Sequence, residues 1–338
     1  MDVLIIGGNR YFGKRLITRL LDAGHRVTVL NRGSSPAPEG ALALRADRND
    51  EAALEKALTG RNFDVVVDQV CYTPRQADIA LRVFAGRTRR YVMTSTVEVY
   101  EYEDSAAPVA EDALDLAAVP VDLGLPWEDP AFLEEHYGEG KRQAEAVFAA
   151  AGAGFPWASV RVAHVLGGAD DFTGRIAHYA HRIRAGEPVA VPVVNRPATY
   201  VYVEEIAAFL VWAAVEAEFT GPVNAHSHGP LTTADICGEI ERLVGGGRTV
   251  YREVEVGEVS PFSFTRAYAM DNSRAEGLGF RFSHSSEWLR TALAETVDGA
   301  PGSGAGGAGE VSDGGDEGGG GDASGASGVS GAGAEVAV

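Results

Sequence analysis

Residues 64–68 read DVVVD, three consecutive β-branched side chains with an acid at each end. A strand that is apolar on both faces must be covered on both faces, which excludes a sheet with one side in water. The pattern recurs along the first hundred residues. Val3–Ile6 (VLII), Arg26–Leu30 (RVTVL), Ala41–Leu44 and Tyr91–Thr94 (YVMT) are similarly short and apolar. Between them lie stretches with helical spacing. In Phe12–Ala23 the residues Leu16, Ile17, Leu20 and Leu21 share one face, and Gly24 supplies a C-terminal stop. Glu51–Leu58 and Arg75–Phe84 read as the next two helices. This alternation predicts an α/β fold, a doubly wound parallel sheet of the Rossmann type.

Farther along, Tyr102–Pro130 is acidic and contains proline, and reads as a loop or lid. A helix is expected from about Ala131 to Ala151, ended by Gly154-Phe155-Pro156, with a strand at Trp157–Val162. Beyond Gly167 the pattern is mixed. Helices are expected near Gly174–Arg184 and over Glu204–Ala217, Thr233–Val244 and Ser286–Thr296, with strands at Val189–Val191 and Thr199–Val203. Residues 1–166 therefore read mainly as the nucleotide-binding domain. Residues 167–298 read mainly as a smaller substrate-binding region, interleaved with the sheet and placed over the carboxyl ends of its strands, where open α/β sheets bind ligands. Residues 299–338 are rich in Gly, Ala, Ser and acids with no apolar period, so a disordered acidic tail is expected.

Charge narrows the partners. The formal net charge is −19; the last 38 residues hold six acids and no base, which leaves −13 on the body. A nucleic-acid surface needs clustered Lys and Arg, so no nucleic-acid partner is expected and a small-molecule substrate is. Cys71 and Cys237 stand far apart, in neither a disulfide nor a metal pattern, which fits a reducing compartment. His178 and His181 next to Asp170-Asp171 read as a solvated helix face, and no metal is expected. No apolar run approaches the ~18 residues of a membrane span, and Met1-Asp2 opens without a basic leader. The expected setting is cytoplasmic, away from membranes.

The turn after the first strand carries the first chemical signal. Residues 3–13 read VLIIGGNRYFG, with Gly7, Gly8 and Gly13 between a strand and a helix. Gly7 permits the tight turn and Gly13 the close packing of helix on strand. The helix N-terminus offers free N–H groups and a positive dipole end to a pyrophosphate. Gly7, Asn9, Arg10, Tyr11, Phe12 and Gly13 are the cofactor candidates of this turn. A three-glycine fingerprint would have glycine where Arg10 stands. The second strand ends in Asn31-Arg32, with no acid to bind a ribose 2′-hydroxyl. A guanidinium there suits a 2′-phosphate, so Arg10 and Arg32 favour NADP(H), with NAD(H) as the alternative. Asp47, after the third strand, is a candidate acceptor for the adenine amino group or a turn-capping residue.

The second signal is Tyr137-Gly138-Glu139-Gly140-Lys141. Tyr and Lys at i and i+4 share one helix face. A phenol with a pKa near 10 is a poor acid–base catalyst at neutral pH unless a cation stabilises its phenolate, and Lys141 can supply that charge. Thr96, just past the strand YVMT, can hold a substrate hydroxyl or carbonyl for proton transfer with Tyr137.

With GGNRYFG, DVVVD, STVEVY, YGEGK, RVAHVLGG and TYVYVEEIA, the chain resembles the extended short-chain dehydrogenases/reductases, the NAD(P)-dependent epimerase/dehydratase group, from residue 1 to about residue 296. GGNRYFG and LNRG make it most similar to the atypical members related to the chloroplast stem-loop-binding proteins. The resemblance implies Tyr137 as proton donor and acceptor, Lys141 as its cationic partner and a contact of the nicotinamide ribose, and Thr96 as the hydroxyl that orients substrate. It implies hydride transfer at a carbonyl or secondary alcohol of a polar, sugar-like or nucleotide-sugar substrate. It also implies a homodimer packed through Rossmann helices.

Three departures lie in the substrate region. Thr96-Val97-Glu98 keeps the proton-abstracting Glu of sugar dehydratases at Glu98 but has Val97 where they carry an acid. His164 replaces the Asn of the motif that runs from Arg161 to Gly168. The diphosphate-clamping Arg two residues before the Tyr of TYVYV is Ala198, with Arg196 the nearest substitute. Glu98, His164 and Arg196 are thus the substrate-binding candidates. The leading expectation is an NAD(P)-dependent oxidoreductase. The alternatives are a cofactor-retaining sugar epimerase or dehydratase, and a non-catalytic RNA-binding or regulatory protein of the same fold.

Overall fold

The structure is a computed structural model that describes residues 1–33, 36–103, 105, 107–266 and 268–299. Its elements follow the expected alternation: β1 (Asp2–Ile6), α1 (Tyr11–Asp22), β2 (Arg26–Asn31), β3 (Leu42–Arg45), α2 (Glu51–Ala57), β4 (Phe63–Asp68), α3 (Pro74–Phe84) and β5 (Thr88–Thr96). There follow α4 (Pro130–Glu135), α5 (Tyr137–Ala150), β6 (Trp157–Val162), β7 (His164–Leu166), α6 (Arg175–Ala185), β8 (Pro188–Pro192), β9 (Tyr200–Tyr202) and α7 (Val203–Val215). The chain closes with β10 (Gly221–Ala225), α8 (Thr233–Val244), β11 (Val250–Val254), α9 (Ser273–Gly277) and α10 (Ser285–Gly299). The expected tail, from 299 on, lies outside the described residues past Gly299.

Seven parallel strands form the central sheet in the order β10-β6-β5-β4-β1-β2-β3. Alternate side chains of β1 show why both faces had to be apolar. Val3 and Ile5 pack with Leu16, Ile17 and Leu20 of α1 and with α7, whereas Leu4 and Ile6 pack with Leu54, Ala77, Ala80, Phe84 and Phe148 of α2, α3 and α5. Strand order reverses between β1 and β4, which opens a crevice at their carboxyl ends. A third core under α6, α8 and α10 joins Tyr179, Ile240 and Trp288 to the small β7-β9 and β8-β11 pairs.

Three expectations are corrected. The single helix from Ala131 to Ala151 is two helices parted at His136, because Gly138 and Gly140 bring the start of α5 against neighbouring backbone. A side chain on Gly138 would come within 2.5 Å of the Glu98 carbonyl oxygen, and one on Gly140 would press into that of Tyr72. β10, within GPVNA, was not expected as a strand. It is the sheet edge beside β6, and its buried Asn224 donates to the Val109 and Asp271 carbonyls at 3.0 and 2.9 Å. The expected strand Thr199–Val203 is shorter, at Tyr200–Tyr202, and Val203 already begins α7.

Candidate active site

A cleft of about 690 Å³ opens over the carboxyl ends of β5 and β6. Tyr11 and Phe12 of the first turn, Thr94, Ser95, Thr96 and Glu98 from β5 onward, Tyr137, His164, Arg175 and Phe264 are among the residues that line it. Tyr137 and Lys141 arrive here because α5 begins so close to the segment after β5. Lys141 is fully buried behind Tyr137, and its Nζ donates to the Thr94 carbonyl at 2.7 Å. The ammonium lies 4.5 Å from the Tyr72 ring centroid and 5.8 Å from that of Tyr137. Burial pushes Lys141 down to about 8. Burial raises the Tyr137 phenol well above its ordinary value, against a hydrogen bond from Thr96 that lowers it. At neutral pH the site thus holds a protonated phenol, a nearby ammonium and a hydroxyl, which is a proton-donating set.

Glu98 faces the same cleft. Tyr268 Oη donates to its Oε2 at 2.9 Å and Arg266 Nη2 stands 3.4 Å from it. Burial nonetheless raises the Glu98 carboxyl above its usual range. Val97, where an acid would be needed for a dehydratase, is buried in the core. His164 stacks on Phe264 with centroids 4.9 Å apart and is also in contact with Phe262, Tyr200 and Tyr268. Burial pushes it down to about 3, so its imidazole is neutral. Its Nε2, the Ser95 hydroxyl and the Thr94 hydroxyl are buried with no hydrogen-bond partner among the described residues. Buried polar atoms of this kind are costly unless a ligand satisfies them. Arg196 is not brought to the cleft: it is exposed, and its N–H is spent on the Phe264 carbonyl at 2.8 Å. Ala198 is buried and bridged to Leu231 and Tyr268.

The other end of the cleft is built by the β1–α1 turn. Gly7 and Gly8 adopt φ of +80° and +77°, and a side chain on Gly13 would press into the Gln69 amide and the Gly8 backbone. No side chain caps the N-terminus of α1. The Gly13 N–H turns back to the Arg10 carbonyl at 3.0 Å, so the N–H groups of Tyr11 and Phe12 are those that would meet an anion such as a dinucleotide pyrophosphate. Tyr11, a non-glycine residue held at φ +51°, donates from Oη to the Gly167 carbonyl at 2.7 Å. That bond ties the cofactor turn to the segment between β7 and α6. From the same segment Phe172 lies 5.6 Å beneath the Arg10 guanidinium. Asn9 Nδ2 donates to the Pro36 carbonyl at 3.1 Å and Asn31 Oδ1 accepts from the Gly33 N–H at 2.7 Å. Arg32 is exposed beside it. Asp47 is exposed and caps its own turn, accepting from the Asn49 N–H at 2.9 Å.

Sequence reasoning missed three contributors. Tyr72 sits under Lys141, Ser95 offers an unsatisfied hydroxyl, and Arg175 opens α6 inside the cleft. The charge of Arg175 bears on Tyr137, Glu98 and His164 alike, while its guanidinium packs 5.4 Å over Phe262. The only sequence signal for it was a lone basic residue after Gly174. His178, expected on a solvated helix face, is instead half-buried in the wall of the same cleft and bonds Ser260 Oγ at 3.1 Å, whereas Trp127 and Trp157 are core residues. No helix among the described residues is long and apolar enough to cross a membrane.

Residues 3–225 match the family model described as the NAD dependent epimerase/dehydratase family. Over 139 residues the chain is 33% identical to a 2′-dehydrokanamycin reductase of Streptomyces kanamyceticus, spanning 38% of this chain and 39% of that protein. Over 205 residues it is 26% identical to the chloroplast stem-loop binding protein of 41 kDa b of Arabidopsis thaliana, spanning 56% of this chain and 48% of that protein. The matches thus span less than half the length of both relatives. The crystal structure of a UDP-glucose 4-epimerase of Thermotoga maritima with UDP-glucose has the same fold, with a TM-score of 0.68 at 20% identity over 88% of this chain and 98% of that one.

Proposed function

The chain belongs to the NAD dependent epimerase/dehydratase family, and from that premise we propose that it is an NADP(H)-dependent oxidoreductase that reduces a ketone, or oxidises the matching secondary alcohol, on a polar, sugar-like substrate. The observation that carries this reading is the convergence of Thr96, Tyr137 and Lys141 at one end of a cleft whose other end is the uncapped turn of α1. Gly7–Gly13 would hold the pyrophosphate of the dinucleotide and Lys141 its nicotinamide ribose, and the nicotinamide would supply the hydride. Thr96 orients the substrate oxygen toward Tyr137. Tyr137, protonated at neutral pH, gives its proton to that oxygen as the carbonyl becomes an alcohol. Lys141 stabilises the phenolate left behind. In the oxidation direction the same proton returns to Tyr137.

Ser95, His164 Nε2 and Arg175 are the groups left to bind the rest of the substrate. The likeness to a 2′-dehydrokanamycin reductase supports a ring ketone as the reacting group. Buried Val97 argues against loss of water by a dehydratase route. Arg32 supports NADP(H), since no acid stands at the end of β2 to repel a 2′-phosphate.

Fluorescence titration of the purified protein with NADPH and NADH tests the cofactor. Tighter NADPH binding is expected, and tighter NADH binding would overturn the NADP part. Nicotinamide that co-purifies with the protein, together with no consumption of added NADPH in a screen of sugar-like ketones, would replace the oxidoreductase by a cofactor-retaining epimerase.

A further inference from the structure

We infer that Tyr72 is a positioning residue of this site, whose ring face seats the Lys141 ammonium and holds it beside Tyr137. The Lys141 Nζ lies 4.5 Å from the Tyr72 ring centroid, closer than to Tyr137. The Tyr72 and Tyr137 rings meet at 6.2 Å with an interplanar angle of 50°. The Tyr72 carbonyl fills the space that a side chain on Gly140 would need, so α5 can descend onto Tyr72 only because residue 140 is glycine. Tyr72 is itself fixed from behind. Its N–H donates to Gln76 Oε1 at 2.6 Å, Gln76 Nε2 donates to Asn49 Oδ1 at 2.8 Å, and Thr73 caps α3.

The charges around Lys141 explain why a ring is needed. Glu145 faces it from its own helix, Asp68 and Cys71 from β4 and the loop beyond, Arg48 from the segment after β3, and Tyr137 from the start of α5. The Thr94 carbonyl of β5 accepts its hydrogen bond. Each neighbouring acid is already engaged. Arg48 pairs with Asp68, which also accepts from Tyr91 Oη, and Arg161 pairs with Glu145. Cys71 is fully buried, and burial pushes its thiol up to about 12, so it stays neutral. The π face of Tyr72 therefore supplies attraction for the ammonium without offering an anion that would lock it in an ion pair. A cation held this way remains available to a ribose and to the phenolate of Tyr137.

This rests on Tyr137 and Lys141 as the acid–base pair, but its test needs no substrate. The sequence has three lysines, Lys14, Lys56 and Lys141. In protein labelled with ¹³C-lysine, the Lys141 Cε resonance is assigned by its loss in Lys141→Met, and its titration is followed by NMR. The wild type and Tyr72→Phe are expected to share one midpoint. Tyr72→Leu is expected to lower it by about half a pH unit, a threefold change in the protonation equilibrium, with Lys14 and Lys56 unmoved. If Tyr72→Leu does not fold, Tyr72→Met keeps bulk without a π face and must show the same shift. An unshifted midpoint in a folded ring-less variant overturns the proposal, as does a shift in Tyr72→Phe equal to that in Tyr72→Leu. NADPH titration of the same samples separates the two readings: absence of NADPH binding by the wild type defeats the function proposed above and leaves the role of Tyr72 to the lysine titration.

Discussion

Around Lys141 close backbone contacts set the approach of the helix. Gly138 and Gly140 let α5 press against the Glu98 and Tyr72 carbonyls, the Thr94 carbonyl accepts a hydrogen bond from the ammonium, and the side chain has no exposure. Around Arg10 and Arg32 the side chains are exposed, on long, flexible stems. The first fixes what reaction is possible, because proton transfer depends on angstrom-scale placement. In the proposed reading Arg32 of the second region adjusts which nucleotide enters, and such a site tolerates change because exposed charges act through screened, modest energies.

The largest test removes the proton. Tyr137→Phe keeps the ring against Tyr72 and should lower turnover by about 10²–10⁴-fold while NADPH binding stays near wild type. Loss of both in parallel would mean that Tyr137 holds the cofactor rather than the proton. The pH profile tests the same region. As pH rises through about 8, Lys141 loses its proton and the Tyr137 phenolate loses its counter-charge. Carbonyl reduction should then fall about tenfold per pH unit on the alkaline side. A flat profile to pH 10 would remove Lys141 from the mechanism.

Gly138→Ala asks whether the backbone contact is as tight as it looks. Alanine gains about 1 kcal/mol of helix propensity over glycine. The new methyl group would stand 2.5 Å from the Glu98 carbonyl oxygen, which cannot retreat without moving the turn that carries Thr96 and Glu98. Overpacking of this kind costs about 1–3 kcal/mol, so a net loss in thermal stability is expected. A more stable variant would show that α5 has slack.

The same contrast explains what could be read from the sequence. β1, β2, β4 and β5 were legible because burial on both faces is written into consecutive residues. Tyr137, Lys141 and Thr96 were legible as a set because their spacing places them on a helix face and at a strand end. β10 was not: it opens with Gly-Pro and carries Asn224, whose partners Val109 and Asp271 are more than 40 residues away on either side. Nor was the break at His136, since its cause is the approach of Gly138 to another segment. Tyr72, Ser95 and Arg175 belong to no spacing pattern and gain meaning only from what faces them. Ala198 was read as a missing clamp, and its burial shows why Arg196, held outward by its bridge to Phe264, does not replace it.

At the exposed end the effects should be smaller and should separate two arginines that the sequence treated alike. Arg32→Ala should weaken NADPH about tenfold and leave NADH nearly unchanged, because the group it would contact is present on only one of them. Equal loss for both nucleotides would remove Arg32 from 2′-phosphate recognition.

Arg10 should behave differently from Arg32. From the sequence it pointed to the same phosphate, but its guanidinium lies over Phe172, in the segment that Tyr11 also grips through the Gly167 carbonyl. An exposed cation–π contact is worth about 0.5–1 kcal/mol, a few-fold in binding. Arg10→Ala should therefore weaken NADPH and NADH equally by a few-fold, and Phe172→Ala should do the same, because both substitutions loosen one latch between the cofactor turn and the substrate side. The double variant should lose no more than either single one if the two residues act as a pair. A selective loss of NADPH in Arg10→Ala alone would return Arg10 to the 2′-phosphate and leave Phe172 as packing.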